Sequence, residues 1–336
     1  VILITSKTGS SLSEKPVITY QGSYSTQMPT NELRPMRNAE LQKFYPLQLW
    51  ERGRRLAPDY LEVDPNYQIG GFTNNDIYEG FLEGRDTDWY GAFTGTGYIN
   101  SQDISISGRS GGVGYFVSGG MTDVEGFIKN DNYTRYNYRI NVDAKINDWL
   151  NVGIESFLTS SDYSGVDLIG EGYWGSILTL QPWVSSHDEN GEIEPIALYG
   201  LSPYTALDAE DSDKRLNIFG NIHADVKLPV EGLSYRLTYS QNYITGNHDR
   251  FNPWQSNYTG YAWRNNSVQY DRTFDNILSY SNTFNDVHSI SATLLYGMEK
   301  RTSTYFMAGA QEFDNDLLGY NKLEAGNPER RIVDSD

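Results

Sequence analysis

Few residues in this 336-residue chain have the spacing that chemistry requires. The four histidines, His187, His223, His248 and His288, are scattered and show no metal-ligand spacing. The acidic run Asp208, Glu210, Asp211 and Asp213 offers oxygen ligands of the kind Ca²⁺ takes. It lacks the glycine and terminal glutamate of a calcium loop, so the reading is a solvated acidic loop. No nucleophile stands in a pattern with a base and an orienting acid, so neither a catalytic residue nor a cofactor site is expected. The better candidates are aromatic. Trp174, Trp183, Trp254 and Trp263 fall in long insertions between regular segments. There an indole face can stack on a sugar ring or a peptide side chain. A second set is charged or polar and recurs at every other position: Arg135, Arg139, Asp143 and Lys145 in one segment, Asn217, His223 and Asp225 in another.

That spacing of two points to the elements that carry the second set. In Tyr133–Ile146, Thr134, Tyr136, Tyr138, Ile140, Val142, Ala144 and Ile146 alternate with Arg135, Asn137, Arg139, Asn141, Asp143 and Lys145. Successive side chains of a strand point to opposite faces, so one face is apolar and the other charged. After a turn at Asn147–Asp148 the alternation resumes through Ser161, which makes an antiparallel hairpin. Strands of soluble proteins usually run about five or six residues. A tilted strand crossing a bilayer needs roughly 9–11. Taken alone, the hairpin fits a transmembrane barrel with a wet lumen or a large soluble sandwich with one solvated face.

The rest of the chain repeats the pattern. Strands are expected at Pro16–Gln27, through Ser101–Gly126 around a turn at Ser110–Gly112, and at Arg215–Leu228 and Leu233–Ile244. A last hairpin, Ser267–Thr283 and Val287–Thr304, is joined at Asn285–Asp286. Asn38–Arg54 has helical character, and Pro46 divides it into two expected pieces. The final thirty or so residues are polar and show no closing strand. Short turns (147–148, 229–232, 285–286) alternate with long insertions (29–100, 162–214, 245–266). An outer-membrane barrel segregates loop length in this way, and a sandwich has no reason to.

Composition agrees. The chain holds 26 Tyr, 7 Trp and 32 Gly, which suits aromatic girdles and polar loops. A net charge of −18 argues against nucleic acid as a partner. The absence of cysteine removes disulfides and thiolate metal sites. No apolar run is long enough for a transmembrane helix, which leaves a barrel open. Val1 opens into VILITSK with no basic n-region, so a fragment or a processed piece is expected.

Three stretches carry a family resemblance. VILITSK (Val1–Lys7), TDWYGAFTGTGYINSQDISISG (Thr87–Gly108) and YFVSGGMTDVEGFIKNDNYTRYNYRINVDAKINDWLNVG (Tyr115–Gly153) resemble the SusC/RagA group of TonB-dependent outer-membrane transporters of Bacteroidetes. The match runs along essentially the whole chain. It implies an all-β fold: part of a 22-stranded antiparallel barrel with long extracellular loops, whose lumen is closed by a plug. Residues 1–14 would be the end of the plug and its link, and 15–336 the N-terminal part of the barrel, about nine strands of it. It further implies a SusD-like surface lipoprotein as partner, energy from TonB–ExbB–ExbD through an N-terminal region, and oligosaccharides or peptides as cargo. An open sheet of that size cannot satisfy its backbone in lipid, so the piece is not expected to transport alone.

Overall fold

The computed structural model describes residues 15–29, 34–52, 75–170, 172–193, 202–253, 260–314 and 317–336. The VILITSK stretch, the proposed 1–14 unit and Trp254 lie outside the described residues.

Ten strands form one antiparallel sheet whose order in space is their order in the chain. They are β1 (Val17–Gln27), β2 (Gly97–Ser110), β3 (Val113–Glu125), β4 (Asn132–Lys145), β5 (Leu150–Asp162), β6 (Glu210–Lys227), β7 (Leu233–Asn252), β8 (Tyr261–Phe284), β9 (His288–Gln311) and β10 (Ile332–Ser335). A sandwich needs a second sheet, and the described residues make none, so that alternative falls. The tight turns β2–β3, β4–β5, β6–β7 and β8–β9 all lie at one end, and the longer connections at the other. At the β8–β9 turn both Asn285 and Asp286 have positive φ, 51° and 55°. That backbone twist matches the twist of the flanking strands.

Four sequence expectations change. The insertion assigned to 245–266 shrinks to 253–260, because β7 runs on to Asn252 and β8 starts at Tyr261. The acidic run is not a solvated loop: Glu210, Asp211 and Asp213 lie on β6, and Asp213 is buried. Both errors have one cause. Where the ends of strands pack against the connections, burial follows those contacts and places polar residues such as Asp213 and Arg250 inside, so hydrophobic alternation disappears while the hydrogen-bonded ladder continues. A tenth strand, β10, pairs with Phe306–Gly309 of β9 in a tail that reads as polar. Finally, α1 (Asn38–Arg52) passes through Pro46 as one helix. Its first turn is held from outside by Asp86, whose Oδ1 accepts from Asn38 N at 2.8 Å, and from within by Glu40, whose Oε2 reaches back to accept from Arg37 N at 3.0 Å.

The long connections are not loose. They build a packed layer from α1, α2 (Asn75–Glu83), α3 (Trp89–Phe93), α4 (Tyr173–Thr179) and a 3-10 turn at Pro203–Ala206. Its core includes Trp89, Phe93, Ile128, Ile177, Leu180 and Trp183, drawn from three different connections. Thr87 N donates to Pro182 O at 2.9 Å, and Arg85 donates to Trp183 O at 2.9 Å. These bonds stitch the first connection to the third.

Candidate functional site

Register decides which side chains share a face, because directly opposed residues of an antiparallel pair project to the same side. Asp143 opposes Gly153, which opposes His223; Lys145 opposes Asn151, which opposes Asp225. Arg139 opposes Phe157, which opposes Phe219, two residues from Asn217. Arg135 reaches Arg215 through Ser161. All seven polar residues singled out in the sequence therefore lie on one face. On it His223 is buried, with Nε2 at 3.7 Å from Asp143 Oδ1 and 3.9 Å from Asp225 Oδ2. Arg236 Nε stands 3.5 Å from Asp225. Sequence reading missed a stacked pair on this face, Phe157 and Phe219, with centroids 5.1 Å apart. Only cross-strand register could have joined them.

The opposite face is an exposed apolar band. Ile140, Ile154 and Ile222 are 48%, 49% and 54% exposed, and Tyr138 and Met298 project beside them. The band does not follow the register rows. It covers Tyr136–Ala144 on β4, Leu216–Val226 on β6 and Ile290–Met298 on β9. The row that contains Ile140 passes through Ser156, Gly220, Gln241 and Arg272 and ends at Lys300, just above the band on β9. A band oblique to the register is what strands tilted across a flat apolar slab require. On β6 the apolar run is of the length a membrane-crossing strand needs, roughly 9–11 residues. The remainder of that 18-residue strand extends beyond it.

Above the band, the polar face of β6 and β7 meets the loop layer in a cavity of about 400 Å³. It is lined by Asn130, Asp131, Tyr133, Tyr163, Asp167, Asp211, Asp213, Arg215 and His248. A second hollow of about 270 Å³ shares Asp213, Arg215 and His248. His248 Nε2 lies 2.8 Å from Asp211 Oδ2. That hydrogen bond, with the charges of Asp211 and Asp213, raises the imidazole above its ordinary range, against burial and Arg250. Arg215 pairs with Asp213 at 2.8 Å and lies over the Tyr163 ring. Among the described residues no group of three or more His, Cys, Asp or Glu could hold a metal ion.

The tryptophans part company. Trp183 is fully buried in the loop layer, edge-on to Tyr45 and Phe81, and its Nε1 donates to Asn38 Oδ1 at 2.8 Å. It has no face left for a ligand. Trp263 sits on β8 rather than in an insertion and packs edge-on against His248 at 4.5 Å. Trp174 belongs to α4, with its side chain outside the described residues.

No protein-family model matches the chain. Curated relatives do. TonB-dependent receptor P26 of Formosa agariphila is 27% identical over 263 residues, covering 75% of this chain and 26% of the relative. TonB-dependent receptor P3 of the same organism is 24% identical over 342 residues, covering 97% of this chain and 31% of its own length. Among solved structures, the RagAB peptide transporter superposes with a TM-score of 0.73 at 21% identity, over 98% of this chain and 40% of that one. The RagAB peptide importer in its closed-closed state gives 0.70 at 22% identity, over 98% and 39%. The chain thus spans about a quarter to a third of the curated relatives it matches. These likenesses bear out the resemblance drawn from the sequence, and the ten-stranded sheet has the fold of part of a TonB-dependent receptor barrel. The relatives are named as receptors and transporters, not enzymes.

Proposed function

We propose, from this likeness to TonB-dependent receptors, that the chain is a section of barrel wall in an outer-membrane nutrient importer. The observation that carries the reading is the two-faced sheet: an oblique apolar band on one side and charged and amide side chains on the other. Lipid suits the first face, because exposed aliphatic and tyrosine side chains lose little there. A wet lumen suits the second. Asp143 Oδ2, His223 Nδ1, Asn217 Oδ1 and Asn242 Oδ1 have no protein partner among the described residues. All four project to this side but are shielded by their neighbours; the side chains that water or cargo can reach there include the exposed Arg135, Arg139 and Lys145.

In this reading the short turns face the periplasm, and the packed loop layer faces outward, where a SusD-like surface lipoprotein closes the mouth. TonB–ExbB–ExbD energises the cycle through a region N-terminal to the wall. Cargo is a peptide or an oligosaccharide, and it passes Arg135, Arg139, Asp143, Lys145, Asn217, His223 and Asp225 on the inner face. Trp254 and Trp174 are the loop aromatics proposed to touch it.

Fractionation tests the setting. The protein is expected in the outer-membrane pellet after a carbonate wash, released only by detergent and accompanied by a lipoprotein. A soluble monomer would overturn it. Uptake of defined peptides against oligosaccharides, by cells with and without the gene, separates the cargo classes.

A further inference from the structure

Three residues at the upper ends of β6 and β7 tie the wall to the start of the β5–β6 connection. His248 Nε2 meets Asp211 Oδ2 at 2.8 Å, and Nδ1 stands 4.0 Å from Asp213 Oδ2. The same two acidic residues hold the connection. Asp211 Oδ1 accepts from Gly165 N at 3.2 Å, Asp213 O accepts from Tyr163 N at 2.8 Å, and Asp213 N donates to Ser164 Oγ at 3.1 Å. Downstream of these bonds the connection carries α4, Leu180 and Trp183, the middle of the loop layer. Gly165 is the natural pivot. Its φ is 131°, which side-chain-bearing residues rarely adopt, and a Cβ there would run into Asn130 O.

The charges around His248 are unbalanced. β6 presents Asp211, Asp213 and Arg215, β7 presents Arg250, and β8 presents the uncharged Trp263 and Asn265. The connections add Asp131, Asp167, Tyr133 and Tyr163 around the cavity. Arg215 is engaged with Asp213, and Arg250 Nε with Asn252. Protonated imidazole is therefore the cation on Asp211, whose carboxylate pins Gly165, while Arg215 holds the Asp213 carboxylate and Asp213 meets the connection only through its backbone.

We infer that His248 is a proton-operated latch: as imidazolium it fixes the Asp211 carboxylate that pins Gly165, and on losing its proton it frees that segment and widens the cavity beneath the loop layer. Release follows because Asp211 then loses its charge-assisted partner and stands as an uncompensated carboxylate, with Asp131 and Asp167 across the cavity. A histidine raised by its partner gives stability that is fully present below its unfolded value, about 6.5. That stability is lost as pH rises through the higher folded value, so the latch opens on the alkaline side.

Hydrogen–deuterium exchange of the Gly165 amide tests this, in the complete barrel in detergent and corrected for the intrinsic rate. From about pH 6 to about pH 9 its opening is expected to grow about tenfold in the unmodified protein. His248→Gln is expected to be open throughout and to show no such dependence. Asp211→Asn keeps an oxygen for Gly165 N without the charge and is expected to flatten the profile as well; it decides the matter if the histidine variant does not fold. Protection independent of pH in the unmodified protein, or a pH dependence that survives in either variant, overturns the latch.

Discussion

Gly153 lies directly beneath the imidazole of His223. A Cβ at position 153 would overlap His223 Cε1 and would stand 2.6 Å from Nε2 and 2.8 Å from Asp143 Oδ1. The absent side chain on β5 is what lets β4 and β6 bring a carboxylate and an imidazole together across it. Gly153→Ala is expected to destabilise the wall by about 1–3 kcal/mol, the usual cost of overpacking. Gly220 is the control. A Cβ there meets only the Gln241 side chain at 3.9 Å, so Gly220→Ala is expected to be neutral or to stabilise by about 0.5–1 kcal/mol. Urea unfolding of both variants of the complete barrel in lipid vesicles checks the pair.

Ile140 sits at the middle of the apolar run on β4, 48% exposed. If lipid covers that face, Ile140→Arg costs roughly 2–4 kcal/mol, the penalty for arginine at the bilayer midplane. Lys300 lies in the same register row, yet Lys300→Ala should change stability little, because the oblique band has already ended below it on β9. Equal effects at the two positions would mean that the band follows the register and the strands are not tilted. Reversible folding of the complete barrel into vesicles measures both.

Trp183 holds the loop layer together rather than presenting a face to cargo. Trp183→Ala is expected to cost about 3–5 kcal/mol. Asn38→Ala leaves the buried indole N–H without its acceptor and costs about 1–3 kcal/mol. In both, hydrogen exchange should speed up in α3 and α4 while the β4–β5 ladder stays protected. Loss of protection throughout the sheet would show that the layer and the wall unfold as one unit.

How much of this was legible in the sequence depended on water. Where one face meets an apolar medium and the other a polar one, residues alternate, so β4, β5 and the lower part of β6 read cleanly. Above the band the strands meet the packed connections instead, and buried polar residues such as Asp213 and Arg250 stand beside Phe251 and Ala262, so the upper parts of β6, β7 and β8 show no apolar–polar alternation and read as loop. For the same reason Trp263 was assigned to an insertion and the Asp211–His248 pair went unseen. Trp183 was recognisable as a loop aromatic, but nothing local shows that Tyr45 and Phe81, distant in the chain, come to enclose it. The seven polar residues kept to one face because alternation is set by the chain itself, whereas the Phe157–Phe219 stack needs register between strands.

Acid should loosen the start of α1 before it affects the wall. Arg34 holds the Glu40 carboxyl down to about 2, helped by the Arg37 backbone N–H, and Arg37 likewise holds Asp86 below the usual carboxylate range. A carboxylate lowered on folding contributes stability that is present above its unfolded value, about 4. That contribution disappears as pH falls through the folded one. Exchange at the α1 amides is expected to rise between about pH 4 and about pH 2. Glu40→Gln should remove the part of that rise due to Glu40.

The central claim is that one face of this sheet meets lipid and the other does not. Because this section of wall contains no cysteine, single cysteines can be placed one at a time from Leu216 to Val226 on β6 of the complete barrel, labelled with an environment-sensitive dye and challenged with a lipid-phase quencher in vesicles. The account predicts quenching with a period of two: strong at 216, 218, 220, 222, 224 and 226, weak at Asn217, Phe219, Asn221, His223 and Asp225. Uniform quenching, or none at any position, would contradict it.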